Sequence, residues 1–396
     1  MSKLSLSAQV QILRRCTANK LYLGDELDRL GHTYDDLRYR TNPAQPLVKS
    51  APYQTLADYD FHHHEVPVVS FFSGCGGLDL GFEAAGYRHI AAIETQELFC
   101  NTLRLNRPGW LVIGPPTSPG DIRNREMIYS QLIDAGVKQG FEGVFYGGPP
   151  CQPFSIAANQ RFAKWGDNFK RVGFAHGDYG NLLFDFVWQI TTFTPRAFLI
   201  ENVPGLATID GGEQLTLART ILADAGYFVA SPTLLNASDF GVPQNRHRVL
   251  VYGVRNRERL EISTPKLPHV PSGKAFDKPV SGVPNHVTRR HEAESILRYM
   301  ELGLGQRDHL GRVDRLDPYY PSKTVIAGGT KGGGRSHLHP VIPRTLSVRE
   351  SARLQTFPDD YVFCGPSARQ FTQVGNAVPP LMGLKIARSI FETVFT

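Results

Sequence analysis

The segment Tyr146-Gly-Gly-Pro-Pro-Cys151-Gln-Pro-Phe-Ser155 sets a thiol directly behind two glycines and two prolines. The apolar run from Gly143 to Tyr146 reads as a buried strand that Gly-Gly-Pro-Pro stops abruptly, leaving Cys151 on a rigid loop just past the strand's carboxyl end. In an open α/β sheet, ligands bind at that edge. A cysteine presented there can ionise and attack as a thiolate, whereas a buried structural cysteine, the common state of a free thiol, stays protonated. Taken alone, Cys151 reads as a buried structural cysteine, and the rest of the chain overturns that reading.

A second constellation precedes it. Val66-Pro-Val-Val-Ser-Phe-Phe72 is apolar and β-branched, Ser73-Gly74-Cys75-Gly76-Gly77-Leu78 is a glycine turn, and Asp79 to Gly86 has helical spacing. Glycines let the backbone pass close to a ligand, and the following helix N-terminus offers free N–H groups. The next apolar run, His89–Ile93, ends at Glu94, where a carboxylate can accept hydrogen bonds from ribose hydroxyls. A third run, Trp110–Ile113, leads to Asp121-Ile122, where an acid can take an adenine amino group. The glycine turn alone is a weak sign of a nucleotide-like ligand; with two acids following at successive strand ends it becomes a strong one.

The elements that must position these groups form one series. After the Tyr146 strand, Ala197–Ile200 ends at Glu201-Asn202-Val203, and Arg248–Tyr252 follows Gln244-Asn-Arg246-His-Arg248. Reactive side chains therefore gather at one edge of an open α/β sheet. Taken singly, Glu201 is also what a solvated strand end would carry, and Arg246 or Arg248 what a surface would.

The 396 residues, 41% of them hydrophobic, can bury a sizeable core and build two lobes. The five cysteines, Cys16, Cys75, Cys100, Cys151 and Cys364, include no Cys-x-x-Cys pair, which argues against a disulfide framework or zinc site and for a reducing cytosol; no metal is expected. His62–His64 reads as linker. No apolar stretch approaches the about 18 residues a membrane span needs, and the N-terminus lacks a signal-peptide core, so a cytoplasmic protein is expected. The net charge of +6 is concentrated between Arg255 and Arg344, where 16 Lys and Arg face 9 Asp and Glu. Such a stripe is either an electrostatic footprint for nucleic acid or a solvated basic surface.

Taken together, these segments resemble the cytosine-C5 DNA methyltransferases. The resemblance rests on Phe-Ser-Gly-Cys-Gly-Gly at 72–77, Gly-Pro-Pro-Cys-Gln at 148–152, Glu-Asn-Val at 201–203, Gln-x-Arg-x-Arg at 244–248, Arg-Glu-Ser-Ala-Arg-Leu-Gln-Thr-Phe-Pro-Asp at 349–359 and Gln-Val-Gly-Asn-Ala-Val-Pro-Pro at 373–380, in the family's order. It covers residues 66–396 and implies a Rossmann-like, S-adenosylmethionine-dependent methyltransferase sheet with a smaller, irregular target-recognition domain. It implies that Cys151 adds to carbon 6 of cytosine, that Glu201 holds the N3 and exocyclic amino edge, that Arg248 contacts O2, and that Arg246 supports the loop. Cofactor contacts are implied for Phe72, Gly74, Cys75, Gly76, Gly77, Leu78, Glu94, Thr95, Asp121, Ile122, Pro149, Leu183, Asn376, Ala377 and Val378; DNA contacts are implied for Gln152, Ser155, Arg161, Lys164 and Thr324.

A base inside a duplex must be flipped out to reach such a site. Residues 156–179, mixing glycines, cations and aromatics without periodicity, are expected to form a mobile catalytic loop; the alternative is a disordered insertion. The expected boundaries are an N-terminal extension 1–65, a catalytic domain 66–254, a target-recognition domain 255–343 and a returning segment 344–396 with two helical stretches. The extension carries amphipathic pieces at Ala8–Ala18 and Leu21–Leu30, read as a packing cap on the catalytic lobe in preference to a DNA-binding or dimerising appendage. The expected enzyme is a monomeric bacterial type acting on double-stranded DNA in restriction-modification or phage defence, with a cognate endonuclease or defence proteins as functional partners. Methylation of a tRNA cytosine and a catalytically silent DNA-binding regulator are the alternatives.

Overall fold

The computed structural model describes residues 4–42, 53–59, 63–150, 182–256, 261–263, 265–311, 313–327 and 337–396; Cys151, Gln152, Ser155, Arg161, Lys164 and the expected loop 156–179 lie outside them. The chain divides into two compact units. One takes Met1–Gln54, Gly241–Asn245 and Pro268–Asn376; the other takes Thr55–Phe240, Arg246–Leu267 and Ala377–Thr396.

In chain order, helices α1 (Leu6–Asn19) and α2 (Leu23–Arg29) belong to the first unit. The second unit then alternates strand and helix: β1 (Pro67–Phe71), α3 (Gly77–Ala84), β2 (Arg88–Ile93), α4 (Glu97–Asn106), β3 (Val112–Ile113), α5 (Arg125–Asp134), β4 (Val144–Gly147), α6 (Leu182–Phe193) and β5 (Ala197–Asn202). It goes on through α7 (Glu213–Asp224), β6 (Tyr227–Val229), β7 (Thr233–Asn236) and β8 (His247–Arg255). The first unit resumes with α8 (Ala293–Tyr299), β9 (Asp314–Arg315), β10 (His337–Leu338), α9 (Val348–Leu354) and α10 (Ser367–Asn376), and α11 (Pro380–Val394) returns to the second.

The sheet of the second unit runs β3-β2-β1-β4-β5-β8-β6, with β7 also paired to β8. Strands β1 to β5 are parallel, and β8 runs antiparallel to β5. Parallel strands covered on both faces read as continuous apolar runs, which is why Val68–Phe71, Val144–Tyr146 and Ala197–Ile200 are buried throughout. Val69, Phe71, Phe145, Phe186, Phe198 and Ile200 fill the core between sheet and helices, and α11 packs along α3. The chain leaves β1 toward β2 and leaves β4 toward β5, so the carboxyl ends of β1 and β4 flank the point where strand order reverses.

The first unit has little regular structure. Its apolar core joins Leu13, Leu23, Leu27 and Leu37 to Ile296, Met300 and Leu338. The N-terminal helices, expected as a cap on the catalytic lobe, thus share their core with the segment after Pro268; the apolar stripe of α1 finds its complement on α8. The units also cut the chain at other points than 66–254, 255–343 and 344–396: Gly241–Asn245 and the stretch up to Asn376 go with the irregular unit.

Several local expectations are corrected. The strand expected over Trp110–Ile113 shrinks to Val112–Ile113, because Trp110 stacks on the His89 ring at 3.9 Å instead of extending the ladder. His64 is not linker: its ring stacks on Phe391 at 3.7 Å and meets Tyr87 edge-on. Residues 347–396 hold three helices, the first started by a capping box between Ser347 and Glu350. Strands β6 and β7 escape sequence reading because they are short, and Leu234 of β7 faces solvent.

Candidate active site

The glycine turn follows β1 directly. Phe72 takes a left-handed φ of 53° and Gly76, at φ 82°, caps α3, a conformation that glycine adopts without strain. The turn is held by Ser73, whose amide donates to Ile93 O at 3.0 Å and whose hydroxyl donates to Ser70 Oγ at 2.9 Å. Glu94 closes it from the end of β2. Its carboxylate accepts from the Gly74 amide at 2.8 Å and the Gln96 amide at 2.7 Å. Burial pushes this carboxyl above its ordinary range, against the pull of those amides. Oε2, which accepts from Gly74, keeps a second lone pair, so Glu94 retains acceptor capacity for a hydroxyl.

The other expected cofactor contacts are distributed unevenly. Asp121 forms a two-oxygen ion pair with Arg123 at 2.6–3.0 Å, and that hydrogen bond holds its carboxyl below the ordinary range. Thr95 is exposed with its hydroxyl 3.4 Å from Glu94. Leu78 is buried, Ile122 and Leu183 belong to the apolar core, and Phe72 meets Phe186 edge-on. Asn376 ends α10 in the irregular unit, whereas Ala377 and Val378 lead into α11 of the sheet unit.

At the ends of β4 and β5 the structure brings together groups that lie far apart in the sequence. Antiparallel pairing of β8 with β5 carries the start of β8 to the same edge as the carboxyl end of β5. Arg248 Nε then lies 2.6 Å from Glu201 Oε1, both side chains largely buried. A side chain at position 148 would come within 2.8 Å of Glu201 Oε2, so Gly148 lets the loop toward Cys151 pass beside this carboxylate. Arg246 is fully buried and its amide donates to Asn236 Oδ1 at 2.9 Å. Thr324, in the irregular unit, donates its hydroxyl to Asn245 O at 2.8 Å.

Two features had no role in the sequence reading. Asn202, buried beside Glu201, donates from Nδ2 to Pro149 O at 3.1 Å and accepts the Val203 amide at 2.8 Å. Prolines lack N–H groups, so a loop built on Pro149-Pro150 must be anchored through its carbonyls; two prolines opposite an amide side chain were the available signal. Beneath the glycine turn, Tyr146 OH donates to Asp79 Oδ1 at 3.2 Å and lies 2.8 Å from His89 Nε2. Burial pushes Asp79 up to about 7 and His89 down to about 3.

Thiol chemistry separates three of the described cysteines from a nucleophile. Cys16, Cys75 and Cys100 are buried, and burial raises each thiol above its ordinary range, which keeps it protonated and inert. Among the described residues, no cluster of His, Cys, Asp and Glu suits a metal ion, and no helix is long and apolar enough to cross a membrane.

The type II methyltransferase M.PspPI of Psychrobacter sp. strain TA137 is 32% identical over 356 residues, spanning 82% of this chain and 79% of its own. M.NgoFVII of Neisseria gonorrhoeae is 32% identical over 349 residues, spanning 82% and 86%. A DNA modification methyltransferase encoded within an Escherichia coli prophage shares the fold, with a TM-score of 0.67 at 24% identity over 84% of this chain and all of that one. The family model of C-5 cytosine-specific DNA methylases matches residues 66–301 and 289–392. The chain belongs to this family and is a DNA cytosine-5 methyltransferase.

Proposed function

We propose that the enzyme methylates C5 of a cytosine flipped out of double-stranded DNA, through a covalent bond between Cys151 and C6, as part of a bacterial restriction-modification or phage-defence system. The observation that carries this reading is the Glu201–Arg248 pair at 2.6 Å, set beside the Gly148 turn that runs into Cys151. Carbon 5 of cytosine is a poor nucleophile. Addition of the Cys151 thiolate at C6 makes it enamine-like, and Glu201 assists by holding N3 and the amino group while Arg248 faces O2. Arg246, buried behind them, supports the loop. Once C5 carries the methyl group, loss of its proton and elimination at C6 return the thiolate.

The residues around the glycine turn fit S-adenosylmethionine: a left-handed turn capping a helix, and a buried carboxylate with spare acceptor capacity at the next strand end. When bound, this group supplies an electrophilic methyl. Gly74 to Leu78 would cradle it, Glu94 would take the ribose hydroxyls, and Asp121 would reach the amino group of the base after releasing Arg123; Phe72, Thr95, Ile122, Pro149, Leu183, Asn376, Ala377 and Val378 would complete the surround. The sheet unit is then the catalytic domain and the segment after Pro268 the recognition domain, with Thr324 and the loop carrying Gln152, Ser155, Arg161 and Lys164 on the DNA. A monomer in the bacterial cytoplasm, held to the nucleoid by its substrate, follows from this reading.

The test is expression in a methylation-deficient bacterial host followed by bisulfite sequencing, with Cys151→Ala alongside. Protected cytosines in one short motif, absent from the control, would establish reaction and target together. An unmodified genome from folded, cofactor-binding protein would move the substrate to tRNA or the role to regulation.

A further inference from the structure

We propose that Tyr319 and Tyr320 form a rigid aromatic docking element that packs against the sugar and base surface of the DNA, beside a phosphate held by Lys323. The proposal rests on the duplex-DNA reading above and adds a contact that the sequence reading did not assign.

Tyr319 is 46% and Tyr320 66% exposed, and they are adjacent in the chain. Single exposed apolar residues are ordinary on a protein surface. Here, however, the backbone beneath them is pinned. The amides of Ser272 and Gly273 donate to Tyr320 O at 2.8 Å and Pro318 O at 2.9 Å. The Tyr319 amide donates to Asp317 Oδ1 at 3.1 Å, and Ser272 Oγ to Asp317 O at 3.0 Å. Downstream, the Ser322 amide donates to Pro243 O at 3.0 Å and the Val325 amide to Gln244 Oε1 at 2.8 Å. A tyrosine on a fixed backbone loses little freedom on binding, because only two side-chain torsions remain to be ordered.

Local charge selects the occupant. Lys323, 68% exposed at its side chain, and Arg307, 43% exposed, share a single acid, Asp314, at 3.4 and 3.5 Å. The Lys323 carbonyl accepts from His337 Nε2 at 2.9 Å, which fixes the base of the lysine. Two cations against one acid, next to two exposed rings, suit a polyanion with flat apolar faces and disfavour a second copy carrying the same charge. The loop is also hydrogen-bonded to Pro243–Asn245, the residues that lead into Arg246 and Arg248.

The experiment uses the full chain and a short duplex carrying the methylated motif. Binding is measured over a salt series for the wild type, Tyr319→Ala/Tyr320→Ala, Tyr320→Phe and Lys323→Ala, with cofactor affinity as the check on folding and sedimentation as the check on assembly. We expect the double alanine variant to bind about tenfold or more weakly with an unchanged salt slope. Tyr320→Phe should bind like the wild type, and Lys323→Ala should lower the salt slope by about one. Wild-type affinity in the double variant would overturn the proposal while leaving the enzymatic reading intact. A dimer that the double variant dissociates would assign the patch to a second copy and overturn it as well. A wild type that neither binds nor methylates the duplex would remove the reading on which it stands.

Discussion

The two units satisfy their buried backbone by different means. In the sheet unit, ladders from β1 to β8 pair the main chain, and an apolar cluster fills the space between sheet and helices. The irregular unit has two-residue strands and helices of seven to ten residues after Pro268, so many carbonyls find no ladder, and arginine forks take its place. Arg315 donates to the carbonyls of Pro340, Thr41 and Leu302 and lies 3.5 Å over the Tyr39 ring. Arg349 donates to Pro284, Pro358 and Tyr361, and Arg353 to Lys278 and Pro279 while pairing with Asp359. Arg344 joins Glu350 and Asp35, the latter from the N-terminal segment. The difference teaches that a basic stretch is not a basic surface: Arg315 and Arg344 count toward the positive surplus yet are interior.

The contrast is broken most severely by Arg315→Met. It leaves three carbonyls without their donor, and we expect urea denaturation to show a loss of roughly 3–5 kcal/mol. Arg315→Lys should recover only part, since an ammonium lacks the planar fork. Stability equal to the wild type in Arg315→Met would show that the clamp is dispensable.

The units should also answer pH with opposite signs. Burial raises Asp79 to about 7, so the folded sheet unit binds a proton that the unfolded chain has lost; its contribution is whole below about pH 4 and is lost as pH rises to about 7, a cost of roughly 2–4 kcal/mol. Burial alone would raise Glu350 too, but the Arg344 ion pair holds it low, so its contribution is present at neutral pH and is lost on acidification. Hydrogen exchange across pH 3–8 should show the irregular unit loosening first in acid, and Asp79→Asn should flatten the decline of the sheet unit toward pH 8. Acid loosening of both units together would contradict the assignment.

A smaller effect is expected at the catalytic edge. Asn202→Ala frees Pro149 O, and misplacing a reacting group by an ångström costs about 100-fold in rate. Adduct formation with 5-fluorocytosine duplex should slow to that degree while cofactor affinity holds; an unchanged rate would reduce Asn202 to a packing residue. The mildest change is Asp35→Asn, which removes one partner of Arg344 while Glu350 keeps its two bonds. As the Asp35 side chain is 42% exposed, we expect less than about 1 kcal/mol in thermal unfolding.

Much of the sheet unit was legible because its signals are local. A buried parallel strand is a continuous apolar run, and Ser73–Leu78 and Gly147–Pro150 are punctuated by residues whose backbone preferences mark a turn at that spot. The sequence by itself therefore determined the succession of strands β1 to β5, the turn that caps α3, and the arrival of Glu94 and Glu201 at strand ends. Only the tertiary structure decided which distant groups meet. The pairing of β8 with β5 brings Arg248 to Glu201. Folding also sets Asn202 against Pro149, stacks His64 on Phe391, and packs the N-terminal segment with the rest of the irregular unit through Leu13, Asp35 and Tyr39. Contacts between residues tens to hundreds of positions apart leave no period in the chain, and the donor fork of a buried arginine is written in the sequence with the same letter as an exposed charge.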